Sequence, residues 1–391
     1  MLTKDFIIAK QKISFAAILW FLLAMVAITI QVVKGSSGIH NYLIFKGVFW
    51  HTVHQSNLYA QYQVDLDFNL YGPVFSFIIA PFALLPDVIG CFLWAIANAL
   101  FLFYAVRKLP VSYNHQNIIL VIGVLEMMTS IHNVQFNPMV TSWIIFSYIL
   151  VKNNKEFWAA LFIAAGILTK LYGIVGLAFF LFSENKIRFI FSFIFWMAVL
   201  FFLPMLISSP SFIIQSYRDW YIILSKKNEA NQESVMQGMS AMKIIREVFL
   251  LKNLRDIYIL GTAAILYVIP LARISQLKNK NFQLSYLAFL LIGVVIFSSS
   301  AESATYVIAM MGVGIWFVVQ PEKKYWVLAL VVFAILLTSL STTDLFPKSI
   351  KANYIRPLGL KALPCFVIWL VLCVQLLLRK FEKDALVPEN N

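Results

Sequence analysis

Apolar residues come in long runs along almost the whole chain, and polar residues gather in the intervals between them. Runs near residues 13–33, 89–106, 118–131, 138–151, 157–168, 172–182 and 189–207 are followed, after a polar interval, by runs near 257–272, 283–297, 304–319, 326–340 and 360–378. No water reaches the backbone in the hydrocarbon core of a bilayer, so a spanning segment must satisfy its own hydrogen bonds, and runs of this kind do so as helices. The pattern predicts an all-α polytopic membrane protein with about 12 transmembrane helices. It reads as one integral-membrane domain over residues 1–391.

Two polar intervals interrupt the rhythm. The first, residues 34–86, carries His40, Asn41, Lys46, His51, His54, Asp65 and Asp67 and contains Asp67-Phe-Asn-Leu-Tyr-Gly-Pro73. The apolar stretch that follows, residues 73–85, is too short to cross a bilayer at a helical rise of about 1.5 Å per residue. It is expected to lie on one membrane face, together with an amphipathic juxtamembrane helix over residues 41–54. The second interval is residues 208–255.

Charge tests this arrangement. With residues 73–85 left non-spanning, Arg107-Lys108, Lys152 with Lys155, Lys186 with Arg188, Arg273 with Lys278 and Lys280, Lys323-Lys324 and Arg379-Lys380 all share the side of Lys4, Lys10 and Lys12. Basic residues concentrate on the cytoplasmic side, so both termini are predicted cytoplasmic and residues 34–86 and 208–255 become outer, periplasmic loops. The seven Lys and Arg residues in 208–255 run against the rule, but long loops are translocated largely regardless of charge.

Composition narrows the class. At 61% hydrophobic and 13% charged the chain is not built as a soluble enzyme, and its net charge of +13 sits in clusters between spans rather than on a nucleic-acid-binding face. Residues 13–33 are too long for the core of a cleaved signal peptide and read as a retained anchor. Cys91, Cys365 and Cys373 fall within or at the edge of spans, and His51 with His54 alone make a weak metal site, so no disulfide framework, metal or other cofactor is expected. No internal repeat suggests a paired-half transporter.

The polar residues of the outer face are the candidates for chemistry. Asp65 and Asp67 are the carboxylates of the first loop, and a carboxylate at a membrane surface can act as general base on a hydroxyl. Asp67 stands nearer the Tyr71-Gly-Pro73 turn and should be the better ordered, although the two share one side of an extended segment. Lys170, between two apolar runs, suits a lipid phosphate or, more simply, an interfacial anchor. His132, Gln135 and Asn137 lie on the preceding outer turn and could bind sugar hydroxyls, while Asn137 before Pro138 also fits a helix N-cap. Glu302, in Ser-Ser-Ser-Ala-Glu302, either positions substrate or serves the start of a helix. Glu126 lies inside a span and must have a partner facing it.

Most of these residues fall in short motifs: Asn41-Tyr-Leu-Ile-Phe-Lys46, Asn57-Leu-Tyr59, the 67–73 turn, Leu85-Pro-Asp87 before Trp94 and Asn98, Glu126-Met-Met-Thr-Ser130, and Gln135-Phe-Asn137. Further on come Thr169-Lys-Leu-Tyr-Gly173, Ala301-Glu-Ser303 with Ile315-Trp-Phe317, and Thr343-Asp-Leu-Phe-Pro-Lys348 with Lys361-Ala-Leu-Pro-Cys365. In these motifs the chain resembles the polyprenyl-phosphate-sugar-dependent glycosyltransferases of family 87, in particular a bacterial branch, which have the GT-C membrane fold. The resemblance implies an inner-membrane enzyme with juxtamembrane helices in its first outer loop. It also implies inverting transfer of a sugar from a lipid phosphate, with a first-loop aspartate as base.

Many family members carry that aspartate at the position matched here by Asn41. Asparagine cannot take a proton, so the base falls to Asp67, Asp65 or a group outside the loop, and Asn41 is left to bind sugar or acceptor. The expected partners are a polyprenyl-phosphate-linked hexose such as mannose, a glycan or glycolipid acceptor, and membrane lipids. Rival readings are a lipid-linked-glycan flippase, which would need a polar path through the spans, and an O-antigen polymerase or ligase. The second rival fits less well, because residues 208–255 hold three arginines and no histidine.

Overall fold

The structure, a computed structural model, describes residues 5–8, 11–62, 67–233, 238–251 and 254–381. A short antiparallel hairpin, β1 (Asp5–Ile8) and β2 (Gln11–Ser14), precedes a series of helices. These are α1 (Phe15–Val33), α2 (His40–Val53), α3 (Phe75–Ala83), α4 (Asp87–Arg107), α5 (Tyr113–His132), α6 (Asn137–Lys152), α7 (Glu156–Lys170) and α8 (Lys186–Phe202). There follow α9 (Pro210–Glu233), α10 (Ala241–Glu247), α11 (Asp256–Val268), α12 (Lys280–Ile296), α13 (Tyr306–Val318), α14 (Tyr325–Phe333), the single turn α15 (Lys348–Ile350) and α16 (Leu363–Leu378).

Among the described residues, four segments are both long and apolar enough to cross a bilayer: Phe15–Val33, Asp87–Arg107, Lys186–Leu206 and Leu360–Leu378. That is fewer than the roughly 12 read from the hydrophobic pattern. The difference arises because several apolar runs are short or change helical type partway. Tyr172–Phe182 is a 3₁₀ helix, α11 ends in 3₁₀ turns at Ile269–Ala272, and α14 continues as a π-helix over Ala334–Leu340. The non-spanning stretch expected behind the first loop contains α3, whose nine residues reach only about 13 Å.

The chain packs as two compact units. One comprises residues 21–108 and 128–229, the other residues 1–20, 109–127 and 230–391. At the heart of the first is α6, with almost every residue from Asn137 to Val151 buried, as befits a helix enclosed by α4, α7 and the 3₁₀ segment. The chain reverses after Lys170, and α7 packs tightly on the 3₁₀ segment: a Cβ on Gly173 would lie 2.6 Å from the Gly166 backbone, so no side chain fits there.

The helix expected over residues 41–54 is present as α2, and it is fastened to the α3–α4 turn. The Tyr42 hydroxyl donates to the Phe82 carbonyl at 2.7 Å, and Lys46 Nζ donates to the Leu85 carbonyl at 3.0 Å while pairing with Asp87 at 2.6 Å. Both side chains thus donate to carbonyls at the end of α3 and in the turn after it.

In the second unit, α12 and α13 are buried on nearly all sides. The partner that Glu126 requires is Lys361. Its Nζ lies 2.6 Å from Glu126 Oε1 and also donates to the Thr338 carbonyl at 2.8 Å, and both side chains are 0% exposed. Thr338 Oγ1 donates back to the Lys361 carbonyl at 2.8 Å, so the pair is bound into the π-helical stretch as well as to α5.

Removing one partner of such a pair leaves an uncompensated buried charge. Lys361→Met should therefore cost about 3–5 kcal/mol, whereas Glu126→Leu combined with Lys361→Met should recover most of that loss. Thermal unfolding in detergent measures both. A double variant no more stable than the single one would contradict the account.

Candidate functional site

Within the unit of residues 21–108 and 128–229, three turns converge. The first is residues 69–73. Asn69 folds its own turn, with Oδ1 accepting from the Tyr71 amide at 2.9 Å and Nδ2 donating to the Tyr71 carbonyl at 3.2 Å. Tyr59 Oη donates to the same carbonyl at 3.2 Å, and Trp220 Nε1 donates to the Leu70 carbonyl at 3.0 Å. The Gly72 amide then donates to the Thr169 carbonyl at 3.0 Å. A Cβ on Gly72 would stand 2.0 Å from the Leu168 carbonyl oxygen, so only glycine lets this turn close on the end of α7.

The second turn ends α5. Val134 N donates to the Ile131 carbonyl (2.8 Å) and Gln135 N to the Ser130 carbonyl (2.9 Å), the paired bonds of a Schellman motif. Val134 takes the left-handed position, φ +50°, where glycine is usual. The third turn ends α7 at Leu171, φ +60°. An L-residue in this conformation costs about 1–2 kcal/mol. Two aliphatic residues so held, one just before Gln135 and one just after Lys170, mark a place where packing overrides local preference, and such strain concentrates at functional sites.

The turns bring four side chains together. Lys170 Nζ donates to Asn137 Oδ1 at 2.6 Å and to the Tyr71 hydroxyl at 3.4 Å, and that hydroxyl donates to Gln135 Oε1 at 3.3 Å. The ammonium also lies 5.3 Å from the centre of the Tyr71 ring and 5.6 Å from that of Tyr172, within cation–π range. Tyr71 in turn stacks on Phe75 at 4.5 Å and meets Phe45 edge-on at 5.1 Å, and this aromatic cluster runs on through Trp94 and Phe136. The polar group thus rests on a rigid apolar floor.

Of the residues singled out in the sequence, Gln135, Asn137 and Lys170 meet here. Asn137 is the first helical residue of α6 rather than its N-cap, and its amide oxygen faces Lys170. Asn41 ties α2 to the end of α5, donating from Nδ2 to the Asn133 carbonyl at 2.8 Å. His132, the last residue of α5, has an exposed imidazole whose pKa is lowered by partial burial and by nearby Lys34. Asp67 is exposed, two residues before the anchored Asn69, and Asp65 lies outside the described residues.

Glu302 belongs to the other unit. Its side chain and that of Thr305 form a reciprocal capping box at the start of the turn leading into α13, which is the structural role weighed for it. Tyr71 is the member that sequence reasoning passed over. It was visible inside the 67–73 motif, but only as a turn residue. Among the described residues no three His, Cys, Asp or Glu side chains gather as metal ligands would.

The family model for glycosyltransferase family 87 matches residues 69–299, a stretch that contains Tyr71, Gln135, Asn137 and Lys170. The chain belongs to glycosyltransferase family 87. Together with its apolar helices, this makes it a membrane glycosyltransferase, and it decides against a flippase. No curated protein matches the chain.

Two substitutions probe how this family 87 member builds the cluster. Tyr71→Phe keeps the ring and removes the hydroxyl shared by Lys170 and Gln135, so it should fold with a loss of about 1 kcal/mol. Gly72→Ala should disrupt the turn itself and lower the unfolding temperature far more. Equal thermal stability of Gly72→Ala and the parent chain would rule out the close approach to Leu168.

Proposed function

We propose that this enzyme moves one hexose, mannose or a similar sugar, from a polyprenyl-phosphate carrier to a hydroxyl of a glycan or glycolipid acceptor. The reaction runs at the outer face of the bacterial inner membrane, with both termini cytoplasmic. The observation that carries the reading is the Lys170–Asn137–Tyr71–Gln135 cluster, a half-buried ammonium oriented by an amide oxygen and a tyrosine hydroxyl, in a family 87 membrane chain.

In this reaction the acceptor oxygen attacks the anomeric carbon as Asp67 takes its proton. The bond from that carbon to the phosphate oxygen breaks, and the polyprenyl phosphate leaves with the bonding electrons. A single displacement inverts the anomeric configuration. The donor phosphate starts as a singly charged diester and leaves as a monoester of higher charge, so Lys170 interacts more strongly with the leaving group than with the bound donor. Gln135, Asn137 and the Tyr71 hydroxyl offer donors and acceptors to sugar hydroxyls, with Asn41 and His132 as further candidates. Asp65, two residues away, is the alternative base.

The direct test is transfer of radiolabelled sugar by purified protein from a synthetic polyprenyl-phosphate donor. Lack of transfer from any lipid-phosphate sugar, alongside transfer from a soluble nucleotide sugar, would overturn the donor assignment.

Two variants test the roles. Asp67→Asn should insert and bind donor yet lose at least about 10²-fold in turnover, the contribution typical of a positioned base. Near-normal turnover there, with collapse in Asp65→Asn or Glu302→Gln, would move the role. Lys170→Ala should impair donor use while Lys170→Arg keeps part of it, because charge outweighs shape for a lipid phosphate. Unchanged donor kinetics in Lys170→Ala would reduce Lys170 to an interfacial anchor.

A further inference from the structure

Helix α9 carries two apolar stripes. One, Ile213 with Trp220, is buried against its own unit, along with Ser216. The other, Ile214, Tyr217, Arg218, Tyr221 and Ile222, follows the i, i+3, i+4, i+7, i+8 spacing of a helix face made to be covered. It is instead largely open, with Ile214, Tyr221 and Ile222 exposed, and with Phe201 of α8 it lines a groove of about 500 Å³. That volume lies within the range of about 300–1,000 Å³ usual for small-molecule sites.

Two polar groups in this groove lack protein partners. The Arg218 guanidinium makes no hydrogen bond or ion pair with another described residue, and the Tyr217 hydroxyl is buried without a hydrogen-bond partner. A cation and a hydroxyl donor beside aromatic and branched aliphatic walls suit an amphiphile with a branched hydrocarbon chain and an anionic oxygen-rich end. The groove also adjoins the cluster. Tyr217 stacks on Phe201 at 4.5 Å and packs against a core containing Val74 and Leu168, the latter two residues before Lys170. Trp220, on the buried stripe, holds the Leu70 carbonyl beside Tyr71.

We infer that this groove takes the isoprenoid chain of the lipid-phosphate donor, with Arg218 as a second cation that draws the phosphate toward Lys170. The inference rests on the proposed donor class and adds the place where the donor's chain lies. The wall residues Ile214 and Ile222 set the depth available to it. Arg218 adds attraction for the anionic end, which acts mainly on capture.

The test uses the full chain reconstituted in vesicles with a sugar-free polyprenyl phosphate carrying a diazirine in its isoprenoid chain. Cross-links should map to Phe201 and to residues 214–222. Excess phosphatidylglycerol should not displace them. In transfer assays, Ile214→Trp and Ile222→Trp should raise KM about tenfold for a long-chain donor and less than about twofold for one of one or two isoprene units, with kcat held. Cross-links elsewhere, loss of labelling to phosphatidylglycerol, or equal KM changes for both chain lengths would overturn the inference. Labelling of the groove without transfer from any lipid-phosphate sugar would support the lipid site and sink the proposed reaction. Transfer with labelling elsewhere would do the reverse.

Discussion

The candidate site depends on one backbone contact, the Gly72 amide against the Thr169 carbonyl. A turn far earlier in the chain is thereby laid on the last residues of α7, and the tyrosine before Gly72 is delivered to the lysine after Thr169. The contact is short because glycine occupies the one position where a Cβ would collide with the Leu168 carbonyl. It is held from the opposite side by Trp220 and Tyr59, which bond to the carbonyls of Leu70 and Tyr71. A single backbone hydrogen bond contributes only about 0.5–1.5 kcal/mol net. Its geometric effect is larger, since it fixes the register of two turns whose side chains would otherwise lie far apart in sequence and unrelated in space.

The same demand, that polar groups away from water find partners, shapes the other unit differently. There Glu126 and Lys361 are both fully buried, and Lys361 also donates to the Thr338 carbonyl and the Thr342 hydroxyl. A pair of this kind gains little over apolar packing but is costly to break. It therefore acts as a registration device, coupling α5 to the π-helical stretch and to the residues that open α16. The Thr342 hydroxyl, 3.4 Å from Lys361 and 3.2 Å from the Ser303 hydroxyl, extends the hydrogen-bonded chain to the residue after Glu302.

Membrane character, helical class and the helix after the first apolar run were legible in the chain because each is written in local hydrophobicity and charge. Gln135, Asn137 and Lys170 were legible because polar residues at the ends of apolar runs stand out. Tyr71 was not, since a tyrosine beside Gly-Pro reads as turn and aromatic filler, and its hydroxyl becomes significant only once α7 is brought against it. Lys361 was hidden for a similar reason. It opens a run of apolar residues and looks like an interfacial lysine until Glu126, 235 residues away, is placed beside it. Of the two roles weighed for Asn137, the N-cap falls to Phe136, because Pro138 fits either the first or the second helical residue and the sequence does not separate the two. Fewer segments than the roughly 12 apolar runs form long apolar helices, in part because several runs include 3₁₀ or π turns, which hydropathy does not distinguish from α-helix.

The placing of Lys170 also bears on why a lysine would serve the proposed reaction there. At about 4 Å, two unit charges interact by about 1 kcal/mol in bulk water and about 4 kcal/mol at the effective dielectric of a protein surface. Lys170 is half-buried, faces two tyrosine rings and is oriented by the Asn137 amide, so its ammonium is partly stripped of solvent and already aimed. The Asn137 amide oxygen and the Tyr71 hydroxyl, both neutral, orient it. In the proposed reaction a group so held would lose little freedom as charge develops on the leaving phosphate, and that preorganisation would favour the transition state over the bound donor.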